Sequence, residues 1–379
     1  MPVNKRIANL HEEIKQWRHD FHANPEILYE VHRTAGKVAG LLREFGCDDV
    51  VEAIGKTGVV GLVTGRKNTK GRVVGLRADM DALPIDEKTG LGYASKTPGV
   101  MHACGHDGHT AMLLGATKYL CESRNFDGTA VVAFQPAEEG GAGALAMIQD
   151  GLMDRFGIEE IYGLHNMPGL PVGEFAIRSG PLLASSDTFE IVVTGKGGHA
   201  AQPHETIDAT LVAAQILVTL QSVVARNVNP LKRVVLTVGT FETDSSASNI
   251  IAQSVRMSGT VRTLDEEYRS IAETRIREIA EGTASAFGAK VKINWERGYP
   301  VTVNHEANAR YAADVARQIA GSVDDDMDPI MPAEDFSYML QERPGAFILV
   351  GNGPSAFCHH PEYNFDDNAI PAGVSWLSG

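Results

Sequence analysis

Four cysteines in 379 residues are too few for a disulfide framework. Positive charge is also scarce: 34 Lys and Arg against 48 Asp and Glu leave a formal charge of -14. A nucleic-acid or anionic-membrane partner needs a basic face, so both are excluded as expectations. No apolar run approaches the roughly 18 to 20 residues that span a bilayer. The opening residues, Met1 to Leu10, hold no apolar signal core and run straight into an amphipathic pattern. Internal repeats, low-complexity tracts and Gly/Ser-rich linkers are missing too. Together these absences describe a cytoplasmic globular protein. The 43% hydrophobic and 22% charged residues are an ordinary balance for that class. The length allows two domains, or one large domain carrying an insertion.

What the chain does have is concentrated chemistry. Met101-His-Ala-Cys-Gly-His-Asp-Gly-His109 places three histidines and a cysteine within nine residues. Cys104 and His106, one residue apart, can reach one metal from a turn or an extended segment. Some thirty residues later, Glu138-Glu139 offers one carboxylate to bind metal and one to move protons. Of the other cysteines, Cys47 and Cys121 read as packing or surface residues, and Cys358, beside His359-His360, as packing.

The order of elements suggests where this chemistry is assembled. Ile7, Leu10, Ile14, Trp17 and Phe21 recur at helical steps and stop before Pro25, and a second helix, Thr34 to Phe45, ends at Gly46. β-rich runs follow at 58–63, 72–77, 129–134, 160–164 and 346–350, with helical patterns at 110–123 and 142–151. This alternation predicts an α/β domain with a largely parallel central sheet. Asp79 and Asp81, Glu138 and Glu139, His165 and His359 each fall just beyond such a strand, the carboxyl-end position where open α/β sheets build their sites. Between 182 and 296 the pattern becomes β-α-β-β-α-β, which fits an inserted ferredoxin-like α+β domain. The expected division is therefore 1–181 with 297–379 as a discontinuous metal-binding catalytic domain, and 182–296 as an inserted lid or dimerisation domain.

These segments resemble the amidohydrolase branch of the binuclear metallopeptidases, which includes hippurate hydrolase, bacterial aminoacylases and auxin-conjugate hydrolases. The resemblance rests on Arg18–Glu26, Arg77–Pro84, Met101–His109, Gln135–Gly140, Gly163–Asn166, Gly195–His199 and His359–Pro361, nearly end to end. One departure is an early stop: after Pro371-Ala-Gly the family continues through a final helix, expected here to be shortened. The resemblance implies that Cys104 bridges two divalent metals as a thiolate, with His106, Glu139, His165 and His359 completing the shells. His359 is preferred to His360 because the family ligand stands two residues before the proline, here Pro361. Glu138 would be the general base and acid, and Asp81 would support the site from behind the ligands. His199, on the inserted domain, would reach the partner subunit's active site and stabilise the oxyanion; Asn249 and Arg262 match positions that touch substrate or its carboxylate. His102 and His109 lie outside the ligand positions, and His22 reads as fixing the end of the first helix.

Mixed S, N and O ligation suits Mn²⁺, Zn²⁺, Co²⁺ or Ni²⁺ without choosing among them. The implied activity is metal-dependent hydrolysis of N-acyl amino acids of the N-acetyl or N-benzoyl type, in a homodimer or higher homo-oligomer. The nearest rival is a dipeptidase or carboxypeptidase with the same apparatus; a remoter one is a non-catalytic metal- or ligand-binding module.

Overall fold

A computed structural model describes residues 5–379, which divide into two compact units. The first comprises the described residues up to Gly180 with Val303–Asp328 and Asp335–Gly379. The second comprises Pro181–Thr302 and Pro329–Glu334. It therefore runs beyond residue 296 and takes in a short later segment that no sequence pattern marked. Backbone pairing explains the addition: Ile330 N donates to Leu182 O at 3.0 Å and Ala184 N to Pro332 O at 2.9 Å.

The first unit is built on a mixed sheet whose centre is parallel. Strands β1 (Asp49–Ile54), β2 (Gly58–Thr64), β3 (Val73–Asp79), β4 (Thr129–Gln135) and β5 (Glu160–Met167) form it with Gly345–Gly351 and the short strands Phe175–Ala176 and Val323–Asp324. β3 lies between β4 and β5, and β5 pairs with Gly345–Gly351, all in parallel; the β1–β2 hairpin adds to β4 antiparallel. Buried on both faces, these parallel strands read as unbroken apolar runs, Val131–Phe134 and Ala346–Val350. β5 continues to Met167, past the end expected at Leu164, because Leu349 pairs with His165 and Gly351 with Met167.

Three helices cover one face. α1 (Lys5–Ala23) turns Ile7, Leu10, Ile14, Trp17 and Phe21 into the core, α2 (His32–Phe45) closes with Gly46 at φ 84°, and α3 (His106–Ser123) is buried along most of its length. The final helix, Ile370–Leu377, is short and packs into the same core. All four cysteines are free thiols, with Cys47 Sγ 3.7 Å from Cys121 Sγ.

In the second unit, four antiparallel strands run in the order Val234–Thr243, Ser254–Thr263, Asp187–Thr194, Lys290–Arg297. Phe189, Ile191 and Val193 alternate inward against the helices Ala209–Ser222 and Glu266–Ala286. Asp208 and Asp265 cap those helices, accepting from Thr210 N and Glu267 N respectively. The continuous helical stretch Ala209–Asn227 is 19 residues long with mean hydropathy 1.5, which meets the length and composition of a membrane span although Thr, Gln, Ser, Arg and Asn interrupt its apolar residues. Its Val212, Ala213, Ile216, Leu220 and Val223 are buried in the core of this unit, while Leu211 and Val218 are exposed.

A buried ionic cluster ties α1 to α3. Arg18 donates to Asp107 at 2.9 Å, and His22 bonds Asp107 through Nδ1 at 2.9 Å and Glu87 through Nε2 at 3.2 Å. His22 thus holds the end of its helix, as its position suggested. Burial alone would lower its pKa; the bonds to Asp107 and Glu87 outweigh this and raise it to about 9 from 6.5. A pKa raised on folding stabilises fully below the unfolded value, and the contribution disappears as pH rises through the folded value. The stability difference between wild type and His22→Gln should be constant below pH 6.5 and shrink towards pH 9 in urea titrations. A pH-independent difference would contradict the charged state of His22.

Helix glycines give a second test. A Cβ on Gly36 or Gly40 of α2 meets nothing within 4 Å, whereas one on Gly108 of α3 comes within 2.6 Å of ring atoms of the buried Phe365. All three gain helix propensity on change to Ala, by about 0.5–1 kcal/mol. Overpacking costs about 1–3 kcal/mol. Gly40→Ala should therefore raise the urea midpoint and Gly108→Ala lower it.

Candidate metal centre

The carboxyl ends of β3, β4, β5 and Gly345–Gly351 point the same way, and the chemistry-bearing side chains gather there. Cys104 lies in the loop before α3, and His106 is that helix's first residue. Gly105 between them has φ 92°, and a side chain on it would collide with Asn166 and Tyr363. The backbone can turn from Cys104 into His106 only because this position is glycine.

Glu138 and Glu139 follow β4 through Ala137, itself at φ 54°. Their backbone amides donate to the two oxygens of a single carboxylate: Glu138 N to Asp81 Oδ1 at 3.0 Å and Glu139 N to Asp81 Oδ2 at 3.1 Å. His165 stands within β5 and not beyond it. His359, in the loop after Gly345–Gly351, takes φ 67° and is pinned by its N–H to Ala103 O at 2.7 Å.

The five residues expected as ligands come together around Cys104. In the set Cys104, His106, His165 and in the set Cys104, Glu139, His359, the ligand atoms lie within 4.8 Å of one another. Cys104 belongs to both sets, the arrangement a bridging thiolate requires. Cys104 Sγ is 3.3 Å from His165 Nε2, and Glu139 Oε1 is 3.2 Å from His359 Nε2 and 3.9 Å from His106 Nε2. Glu138 joins His106 and Glu139 in a third such set, and its Oε1 accepts from Asp335 N at 3.4 Å.

Hydrogen bonds select the tautomers. His106 Nδ1 faces the backbone oxygen of Asp81 at 2.8 Å, and His165 Nδ1 faces that of Asn166 at 2.7 Å. A carbonyl only accepts, so both Nδ1 atoms carry a proton and both Nε2 atoms turn inward. His106 Nε2 is buried and makes no hydrogen bond, and Glu139 Oε1 meets the rings of His359 and His106. Such atoms in a buried site call for an electrophile, and a divalent cation supplies one.

The electrostatics agree. His106 is pulled down by burial, yet Asp79, Asp81 and Glu139 push its pKa well above the usual value. Cys104 is pushed up by its hydrogen bond with Cys358, by burial and by the nearby Glu139 and Glu138 charges. Glu139 stays a carboxylate despite burial, held down by His359 and His106, while burial lowers His165 well below the usual range and keeps it neutral. The pocket carries excess negative charge, and a bound cation would reverse the cost of the thiolate.

Several contributors were not singled out from sequence. Arg77, Gln135 and Asp335 form a buried network, with Arg77 to Gln135 at 2.8 Å and Gln135 to Asp335 at 2.8 Å. Arg77 also donates to Asp79 at 2.7 Å, and Asp79 holds His109 Nδ1 at 2.7 Å, which makes His109 a supporting group. Burial lowers His102 to about 3, so it is a neutral ring. Cys358, read as packing, does pack on the main core, and its thiol also donates to the backbone oxygen of Cys104 at 3.9 Å. Tandem histidines beside Cys358 were the only signal for that.

His199, Asn249 and Arg262 belong to the second unit. His199 ends one strand of a small ribbon and Asn249 lies in the turn just before the other, where His199 pairs with Ile250 and Ala200 N donates to Asn249 O at 3.1 Å. Both are exposed, and Arg262 is half-buried at the end of Ser254–Thr263.

Known proteins share this arrangement along the whole chain. Residues 75–379 match peptidase family M20/M25/M40. A hippurate hydrolase of Campylobacter jejuni is 41% identical over 380 residues, covering 100% of this chain and 98% of that protein. An N-acetyl-L-cysteine deacetylase of Bacillus subtilis is 41% identical, covering 97% of this chain and 87% of its own length. A thermostable carboxypeptidase of Saccharolobus solfataricus is 38% identical, covering 99% and 97%. The crystal structure of a dinuclear metal-binding M20 peptidase from Bacillus subtilis superposes with TM-score 0.85 at 33% identity, over 99% of this chain and 97% of that one. With the family matched over most of its length and relatives above 30% identity end to end, the chain belongs to peptidase family M20/M25/M40.

Proposed function

We propose that this protein hydrolyses the amide bond of N-acyl amino acids, releasing a carboxylate and a free amino acid. The observation that carries the proposal is the convergence of Cys104, His106, Glu139, His165 and His359, with Glu138 beside them but outside the two sets that share Cys104. The names of the full-length relatives, a hippurate hydrolase and an N-acetyl-L-cysteine deacetylase, support the acyl-amino-acid class. Two divalent ions, Mn²⁺, Zn²⁺, Co²⁺ or Ni²⁺, held there would acidify a coordinated water and polarise the scissile carbonyl.

Glu138 is assigned the proton work. Its amide is fixed by Asp81 and its carboxylate is buried beside the ligands. It takes the proton of the attacking water and returns it to the leaving nitrogen, the two transfers that amide cleavage needs. His199 is assigned the developing oxyanion. Ala201 N donates to His199 Nδ1 at 3.0 Å, so the neutral ring carries its proton on Nε2, on an exposed rim. Asn249 and Arg262 are assigned to substrate contacts, the Arg262 guanidinium suiting a carboxylate.

We assign the working form to a homodimer through the second unit. The helix Ala209–Ser222 exposes Leu211 (50%) and Val218 (65%) besides its buried face, and Val234–Thr243 is an edge strand. The first unit is assigned the catalytic role. Four free thiols support a cytoplasmic location.

A dipeptidase or carboxypeptidase reading stands second, favoured by the carboxypeptidase relative. Metal-stripped protein reloaded with each ion should release amino acid from N-acetyl- or N-benzoyl-amino acids faster than from dipeptides; the reverse ranking would install the second reading. Glu138→Gln should retain metal and lose about 10²–10⁴ in kcat. Near-normal turnover would remove Glu138 from its role. Mixed dimers of Glu138→Gln and His199→Ala, each inactive alone, should regain activity if His199 serves the partner's site. Mixtures as inactive as their parents would confine His199 to its own subunit or remove it from the reaction.

A further inference from the structure

Asn166 follows the candidate ligand His165 and is buried, yet no metal-binding role falls to it. Its bonds reach three of the segments that carry ligands. The backbone oxygen takes His165 Nδ1–H at 2.7 Å, which aims His165 Nε2 at Cys104. The side-chain Nδ2 donates to Cys104 O at 2.5 Å and lies 3.1 Å from His109 Nε2. The side-chain Oδ1 accepts from Tyr363 O–H at 2.7 Å, on the loop that carries His359. The backbone N–H completes the set, donating to His109 Nε2 at 2.9 Å.

These contacts agree on one orientation of the amide. Oδ1 faces a hydroxyl donor, and Nδ2 faces a carbonyl and a ring nitrogen. His109 Nε2 accepts, so its proton sits on Nδ1 and goes to Asp79 at 2.7 Å. Burial keeps the Tyr363 phenol far above its usual pKa and therefore a donor. There is little slack: a side chain at Gly105 would strike both Asn166 Nδ2 and Tyr363 Oη.

We propose that Asn166 is a positioning residue of the metal centre, setting the separation of Cys104 and His165 and tying the His359 loop to both. It rests on the metal-centre reading given above. Cys104 O belongs to a ligand residue and Tyr363 lies on the loop that carries His359, so loss of the amide should loosen ligand geometry more than it loosens the fold. Supporting groups of this kind are worth about 10–100-fold in metal affinity.

The test is Co²⁺ titration of the metal-stripped full-length protein against a competing chelator, following the thiolate-to-cobalt charge-transfer band. Asn166→Leu keeps the branched shape without donors or acceptors. It should weaken Co²⁺ binding about 10–100-fold and shift or weaken the band, measured per folded molecule by circular dichroism. Tyr363→Phe removes one leg only and should move both readouts the same way by less. If Asn166→Leu does not fold, Tyr363→Phe decides. Unchanged affinity and band in a folded variant, with wild type binding cobalt, would overturn the role of Asn166. Wild type that binds no cobalt would instead overturn the metal-centre reading on which it rests.

Discussion

The site depends first on one buried carboxylate. Asp81 gives one oxygen to the amide of Glu138 and the other to that of Glu139, and its backbone oxygen takes the Nδ1 proton of His106. The proposed base and two proposed ligands are therefore oriented by one residue just beyond β3. Glu138 and Glu139 sit in a turn, and their carboxylates and His106 lie within 4.8 Å of one another. Once Asp81 has fixed the two amides, one carboxylate can face the ligands while its neighbour faces the attacking water. The Asp81 carboxyl is itself pushed up by burial, which the His106 and amide bonds only partly offset. That cost is tolerated because the bonds fix the functional pair.

Around that anchor the pocket concentrates negative charge where water cannot dilute it. Asp79, Asp81, Glu138, Glu139 and the Cys104 thiol crowd one buried region, while Arg77 answers mainly to Asp79, Gln135 and Asp335. Without a cation, the balance falls on the histidines: His106 and His359 are both raised, each next to a carboxylate. Metal entry would take over that compensation and release protons, so affinity for the ion should rise with pH. The same crowding explains why Cys104, an ordinary buried thiol by itself, becomes the one residue common to both candidate ligand sets.

How much of this was readable in the residues depended on distance along the chain. The Cys104–His106 spacing and the Glu138–Glu139 pair are local, and both stood out at once. The strand runs at 129–134 and 346–350 were equally visible, since double-sided burial leaves compositional marks. His165 was placed beyond its strand because β5 runs on to Met167 only through pairing with Gly345–Gly351, which no local pattern encodes. Asp335 and the bond from Tyr363 to Asn166 were invisible for the same reason, each being separated by about two hundred residues from its partner. Cys358 was read as packing because its second contact, with Cys104, exists only after folding.

The loops that carry this chemistry hold backbone conformations their residues do not favour. Ala137, Ala142 and His359 all have positive φ, at 54°, 53° and 67°, where a side chain costs about 1–2 kcal/mol. Each is held from outside its own turn or at its edge: Gly143 N bonds Ala137 O, Ala144 N bonds Asp335, and His359 N bonds Ala103 O. Such conformations persist only where the surroundings over-determine them, and these hydrogen bonds supply that constraint. Strain sits where preorganisation is needed, on the loops, while the parallel strands beneath them stay regular and fully buried.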